Sequence, residues 1–365
     1  MLLREGQVRI PSGCAISAIM NRKGERFSGE RIIRSISLMH DRSNGLGGGF
    51  AAYGIYPEYA ELFAFHIFYD SAAAREAAEA FLNRHYDIES AGRIGTRKVR
   101  GIGESPLIWR YFVRPDRVRL AESDLDEDEF TARCVMRINR EIDGAYVFSS
   151  GKNMGAFKAV GYPEDVGAFY RLEEYKGFLW TAHGRFPTNT PGWWGGAHPF
   201  TILDWSIVHN GEISSYDANR RYIEMFGYNC TLRTDTEVIT YLFDFFVRKE
   251  KLGLQTCSDI LAAPMWSEIE RMEPERRRYY TTLRAIYSSA LINGPFSILV
   301  GSNNGLLALN DRLKLRALMA AEKGDEVFFA SEEAAIRTVC ASPDRLWSVE
   351  GGKPVIVTLD QPGKG

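Results

Sequence analysis

Apolar positions along the chain follow two periodicities, and the switches between them mark the elements. "CAISAIMN" (14–21) is a short, nearly continuous apolar run that predicts a strand. After the turn-rich "RKGERFSG", the stretch "ERIIRSISLMHDR" places Ile32, Ile36 and Met39 at i, i+4 and i+7, one face of a helix. "SNGLGGGFAAYG" reads as a glycine-dense turn entering an apolar strand. From about 57 to 140 the rhythm changes: "AELFAFHIFYD" predicts a strand, "SAAAREAAEAFLNRHY" a helix and "PLIWRYFVRP" a strand. "DEDEFTARCVMRINREIDG" predicts a second helix, opened by acidic residues and stopped by glycine. Together these form a small βαβα unit, inserted into or appended to a main sheet. Alternating strands with glycine or asparagine turns follow: "AYVFSSG", "GAFKAVG", "GFLWTAHGRF", "WSIVHNGEI", "FSILVGSNNGLLALN", "EVFFASE" and "PVIVTLD". Helical stretches, "TDTEVITYLFDFFVRKE" and the charged region around 258 to 291, separate them. Strand blocks alternating with helical blocks predict sheets covered by helices, a layered α+β fold.

Composition narrows the class. A chain of 365 residues, 45% hydrophobic and 25% charged, is that of a globular protein able to bury a sizeable core, as one large domain or two ordinary ones. A net charge of -2 gives no electrostatic reason to expect a nucleic-acid partner. No apolar run approaches the roughly 18 residues that span a membrane, and "MLLREGQVRIPSG" lacks the apolar centre of a secretory signal. The five cysteines (Cys14, Cys134, Cys230, Cys257, Cys340) include no CxxC pair, which argues against zinc knuckles, iron–sulfur clusters and a disulfide framework. A reducing cytoplasm is the expected compartment.

Several motifs have ordinary explanations. "GLGGGF" (45–50) lacks the third glycine of GxGxxG and any GK[ST], so it is read as a mobile or tightly packed loop. His183, His198 and His209 fit no metal spacing, and no metal is expected. "RMEPERRRYY" interleaves acids with its bases and reads as a solvated helix face.

Three pieces gain meaning as a set. "HGRFPTNT" places Arg185 at the end of an apolar strand, where burial requires an anion. "VHNGEI" ends a strand in Asn210, Gly211 and Glu212, and "RTDTEV" holds Asp235 at a helix start. There Thr234 or Asp235 is the expected cap, with Glu237 completing a capping box. Each piece alone has a structural explanation: a salt-bridged arginine, an Asn-Gly turn, a helix cap. Jointly they supply a guanidinium for a carboxylate, an acid for an ammonium, and an amide with a backbone N–H for an oxyanion. Cys14 is the candidate nucleophile.

With those residues the sequence resembles the class II glutamine amidotransferases, N-terminal-nucleophile hydrolases, and more narrowly the amidotransferase domain of glutamate synthase. "CAISAIMNRKG", "SSGKNMGAFKAVG", "HGRFPTNT", "GGAHPF", "VHNGEIS", "TDTEV", "ILVGS", "LNDRLKLRAL" and "FASEEAAI" carry the resemblance, in order, over nearly the whole chain apart from the 57–140 insert. It implies a four-layer αββα fold, two antiparallel sheets packed between helices, spanning 14–365. It implies Cys14 as nucleophile, with Asn210 and Gly211 as oxyanion donors. Arg185 would hold the substrate carboxylate and Asp235, helped by Glu212, its ammonium, with Thr188 a further substrate-binding residue. The substrate is then glutamine, and ammonia passes to a glutamate synthase catalytic subunit; flavin and iron–sulfur clusters are expected only in that partner. A related synthase with another acceptor, and a non-catalytic glutamine sensor, are the alternatives.

In this family the nucleophilic cysteine begins the mature chain, so residues 1–13 are expected to be a leader removed by cleavage of the Gly13–Cys14 bond. Pro187 stands where the family's arginine motif commonly has serine, and His198 where glutamate synthases often carry glutamine.

Overall fold

The computed structural model describes residues 13–187 and 192–360; Thr188 and residues 1–12 lie outside the described residues. The strand Ala15–Asn21 is buried along its whole length. Its neighbours explain why: Leu179–Gly184 pairs antiparallel on one side and Glu326–Ala330 on the other. Ile16, Ala18 and Met20 point to one face, in a core shared with Val208, Leu299, Leu306 and Ala308 of a second sheet. Ala15 and Ile19 point to the other, where Ile32, Ile36 and Met39 cover them. A strand covered on both faces needs apolar residues at successive positions, hence the unbroken run.

Among the described residues this first sheet has seven strands, in the order Arg345–Ser348, Met319–Lys323, Glu326–Ala330, Ala15–Asn21, Leu179–Gly184, Gly48–Tyr53, Met154–Ala159. The second has five: Phe200–Ile202, Trp205–Gly211, Phe296–Ser302, Gly305–Asn310, Val355–Thr358. Alternation along Phe296–Ser302 divides the second sheet cleanly. Leu299 faces the first sheet, while Ile298 and Val300 face a cluster that includes Val238, Ile239 and Leu242 of the helix Asp235–Asp244. Helices Glu30–Ser37, Pro163–Phe169 and Glu333–Val339 cover the first sheet's outer face. The order is helix, sheet, sheet, helix, the expected αββα sandwich.

The inserted unit departs from the βαβα reading. Its four strands lie antiparallel in the order Tyr86–Arg93, Leu107–Pro115, Phe63–Tyr69, Ala145–Ser149. With helices Ala72–His85 and Glu127–Glu141 this makes a βαββαβ unit of the split-βαβ type. The helix stops at His85, and "YDIESAGR" becomes an edge strand whose residues alternate between covered and exposed. Ser90 and Gly92 hide that alternation from a hydrophobicity pattern, and the alanine-rich helix before it dominates the local signal. The fourth strand, "AYVFS", lies past 140, beyond the expected insert, and pairs with Phe63–Tyr69 instead of joining the main sheets.

The insert is clamped to the core. Glu129 accepts from Arg248 (2.9 Å) and Lys249 (3.2 Å), while Arg248 also pairs with Asp244 (2.7 Å), all nearly buried or half-buried. Burial would raise the Glu129 carboxyl, but the Arg133, Arg248 and Lys249 charges hold it below its ordinary value. No helix among the described residues is long and apolar enough to cross a membrane.

Replacing Glu129 with alanine removes a charged hydrogen-bond acceptor, a loss of about 1.5–3 kcal/mol. The expected result is a lower Tm near neutral pH. Because the folded carboxyl is depressed, its contribution is complete above its unfolded pKa and is lost as pH falls. Melts of wild type and variant should therefore converge in acid.

Candidate active site

Strand register brings the distant pieces together. Ala15 pairs with Gly184, so the next residues outward, Cys14 and Arg185, meet at the sheet's end. The Phe186 amide donates to the Cys14 sulfur at 3.3 Å. Arg42 Nε holds the Cys14 carbonyl at 3.0 Å. A cavity of ≈540 Å³ opens here, its lining including Cys14, Arg185, Gly211, Glu212 and Asp235. These five sit at the termini of elements: Cys14 just before Ala15–Asn21, Arg185 just after Leu179–Gly184, Gly211 and Glu212 where Trp205–Gly211 ends, and Asp235 at the first position of Asp235–Asp244.

Gly211 satisfies two constraints at once. Its φ is +153°, and a Cβ would stand 2.0 Å from the Pro295 carbonyl oxygen. The glycines of "GLGGGF" serve packing, and the loop is a tight one. A Cβ on Gly49 would lie 2.1 Å from the His198 carbonyl oxygen, and one on Gly47 3.0 Å from the Arg185 Cδ.

Burial sets the electrostatics. Arg185 is only 4% exposed; burial weakens its cationic form, and the neighbouring Cys14 and Asp235 oppose that. Burial also pushes the Cys14 thiol upward, against the Phe186 amide and the Arg185 charge. For Asp235 burial again acts upward but loses: His209 beside it and the amides of Ile213 and Thr236 hold the carboxyl below its ordinary value. The cavity thus carries a guanidinium and a carboxylate together, as a zwitterionic amino acid requires, next to a thiol that needs a base.

Other predicted residues are placed as follows. Glu212 is exposed at the cavity edge. Asn210 is 1% exposed and is not among the residues that line the cavity; its Nδ2 is 3.3 Å from the Ser331 hydroxyl. Thr188 lies outside the described residues. Thr234 is the helix cap, accepting from the Glu237 amide at 3.2 Å. The capping box is not formed. Glu237 turns instead to the amides of Thr231 (3.1 Å) and Leu232 (3.0 Å), and burial pushes its carboxyl up to about 7.

Sequence reasoning missed a buried polar stack behind Asp235. Thr236 Oγ1 lies 3.3 Å from Asp235 Oδ1, 2.8 Å from His198 Nε2 and 3.1 Å from His209 Nδ1. The His183 and His198 rings stack at 3.9 Å. Burial pushes His183 down to about 3 and His198 well down, so both are neutral near pH 7. The three histidines brace a helix start against two strands. The signal was available: His209 adjoins Asn210 on a strand and must face the opposite side, toward the helix.

A pH-dependent alkylation follows from the thiol's surroundings. With the Gly13–Cys14 bond intact, iodoacetamide should modify Cys14 with a midpoint above that of an ordinary thiol. Arg185→Ala should move it higher still, because a stabilising cation is lost. Peptide mass mapping across a pH series reads both shifts.

Residues 67–360 match the family model described as class II glutamine amidotransferases. An uncharacterized protein of Archaeoglobus fulgidus is 49% identical over 349 residues, covering 95% of this chain and 92% of its own. The glutamate synthase [NADPH] large chain of Bacillus subtilis is 26% identical over 304 residues, 74% of this chain but only 19% of the synthase. The solved structure of the glutamine phosphoribosylpyrophosphate amidotransferase from B. subtilis aligns over 94% of this chain and 47% of its own, with TM-score 0.47 and 14% identity.

Proposed function

The chain belongs to the class II glutamine amidotransferases, and from that premise we propose that it hydrolyses glutamine with Cys14 and delivers ammonia to a separate glutamate synthase subunit. The observation that carries this reading is the single cavity shared by the Cys14 thiol, the Arg185 guanidinium and the Asp235 carboxylate. Residues 14–365 form the amidotransferase unit, and residues 1–13 are a leader. Arg185 takes the α-carboxylate of glutamine. Asp235, helped by Glu212, takes the α-ammonium, which directs the side-chain amide toward the sulfur.

The raised thiol explains why an amine is needed. Hydrolysis of the Gly13–Cys14 bond exposes an α-amino group of pKa about 7.7–8.0, able to accept and return a proton near neutral pH. That amine removes the thiol proton, and the thiolate attacks the amide carbon. Asn210 and the Gly211 N–H stabilise the resulting oxyanion. Collapse of the tetrahedral intermediate breaks the C–N bond, and the protonated amine gives its proton to departing ammonia. Water then cleaves the thioester, releasing glutamate and restoring the thiol.

Similarity over 74% of this chain to the glutamate synthase large chain supports a synthase as the acceptor's home. Flavin and iron–sulfur chemistry would belong to that partner.

Purified protein whose mass begins at Cys14 should release glutamate and ammonia from glutamine, and Cys14→Ala should abolish release. Full activity in Cys14→Ala, or in protein retaining the leader, would remove the terminal thiol from the mechanism. Asp235→Asn should raise KM for glutamine about 10- to 100-fold, as expected for one charged hydrogen bond, with a smaller change in kcat. Co-purification with a flavoprotein that forms glutamate from 2-oxoglutarate supports the synthase assignment; a partner aminating another small acid contradicts it.

A further inference from the structure

We infer that Ser331 is a positioning residue of the oxyanion site, its hydroxyl fixing which end of the Asn210 carboxamide is offered to substrate; this rests on the glutaminase reading above. Ser331 follows the strand Glu326–Ala330 directly and continues its pairing with the Cys14 strand. Its amide donates to the Ile16 carbonyl at 3.0 Å, and its Oγ accepts from the Ile16 amide at 3.1 Å. Both Ser331 and Asn210 are 1% exposed, and they meet across the two sheets at 3.3 Å.

Donors and acceptors at this contact do not balance. A serine hydroxyl has one proton to give and room to accept. Here it accepts from Ile16 N–H and from Asn210 Nδ2, so its own proton has no acceptor among the described residues. On the other side of the same carboxamide, Asn210 Oδ1 is buried with no partner among the described residues. A buried amide oxygen left unpaired is costly, about 1–3 kcal/mol.

One motion pairs the Ser331 proton and turns the unpaired oxygen into an unpaired donor. A half-turn of the carboxamide puts Oδ1 where Nδ2 stands, and the two ends are nearly identical in shape. Ser331 then donates to Oδ1 while still accepting from Ile16. Nδ2 is released to the side where Oδ1 now stands, and Gly211, the next residue in the chain, lines the cavity. An unpaired buried donor is what a developing oxyanion can use, because its hydrogen bond is strongest in the transition state. Ser331 thus ties the orientation of the oxyanion donor to the same strand that carries the nucleophile.

The test uses glutaminase kinetics on protein verified by intact mass to begin at Cys14. Ser331→Ala should lower kcat about tenfold, the equivalent of one neutral hydrogen bond, with KM changed less than about twofold. Asn210→Ala should lower kcat by about 10²–10³, and adding Ser331→Ala to it should lower kcat no further. Ser331→Thr keeps the hydroxyl and should recover most of kcat. If Ser331→Ala fails to fold, Ser331→Cys, close in size but a poor donor, should show the same kcat loss. Unchanged kcat in both Ser331→Ala and Ser331→Cys, or a loss that multiplies with that of Asn210→Ala, overturns the role of Ser331 alone. Inactive wild-type protein would overturn the glutaminase reading and this inference with it.

Discussion

The candidate site depends on how one strand is held. Ala15–Asn21 lies between Leu179–Gly184 and Glu326–Ala330, and hydrogen bonds on both sides fix its register. A slip by one residue would reverse every side chain and expose the apolar set that now fills two cores. The burial that makes the sandwich stable therefore also fixes the position of Cys14. Arg185 follows one neighbour and Ser331 the other, so three chemically distinct groups share one end of the sheet without any loop having to place them.

The second sheet supplies the opposite wall by the same logic. Asn210 and His209 are adjacent on a strand, so one faces the first sheet and the other the covering helix. His209 then meets Thr236 and Asp235 at the helix start. Burial drives most titratable groups here toward neutrality: His183, His198, Lys158 (pushed down to about 7) and Glu237. Asp235 is held on the charged side by its hydrogen bonds, and Arg185 by the strength of guanidinium basicity. Arg185 and Asp235, opposite in charge, thus line one cavity with Cys14.

Much of this was legible in residue order. The buried strand at 15–21 and the helix face of Ile32, Ile36 and Met39 follow from periodicity. The grouping of Arg185, Asn210, Gly211 and Asp235 is suggested by what an amino acid ligand requires and by the resemblance, and of these Arg185, Gly211 and Asp235 line the cavity. Other features were not legible, for specific reasons. The edge strand Tyr86–Arg93 carries serine and glycine where a pattern needs apolar residues. Glu237 fits a capping box in sequence, but loop amides at 231 and 232 compete for its carboxylate and win. Ser331 belongs to an unremarkable "FASEE", and only the pairing of strands more than 300 residues apart shows what its hydroxyl meets.

The most direct measurement is covalent labelling with an electrophilic glutamine analogue, a γ-diazoketone amino acid, followed by peptide mass mapping. One adduct is expected, on the sulfur of a chain that begins at Cys14, suppressed by excess glutamine and slowed strongly by Arg185→Ala. Labelling of another cysteine, or labelling that neither glutamine nor the Arg185 substitution affects, would contradict it.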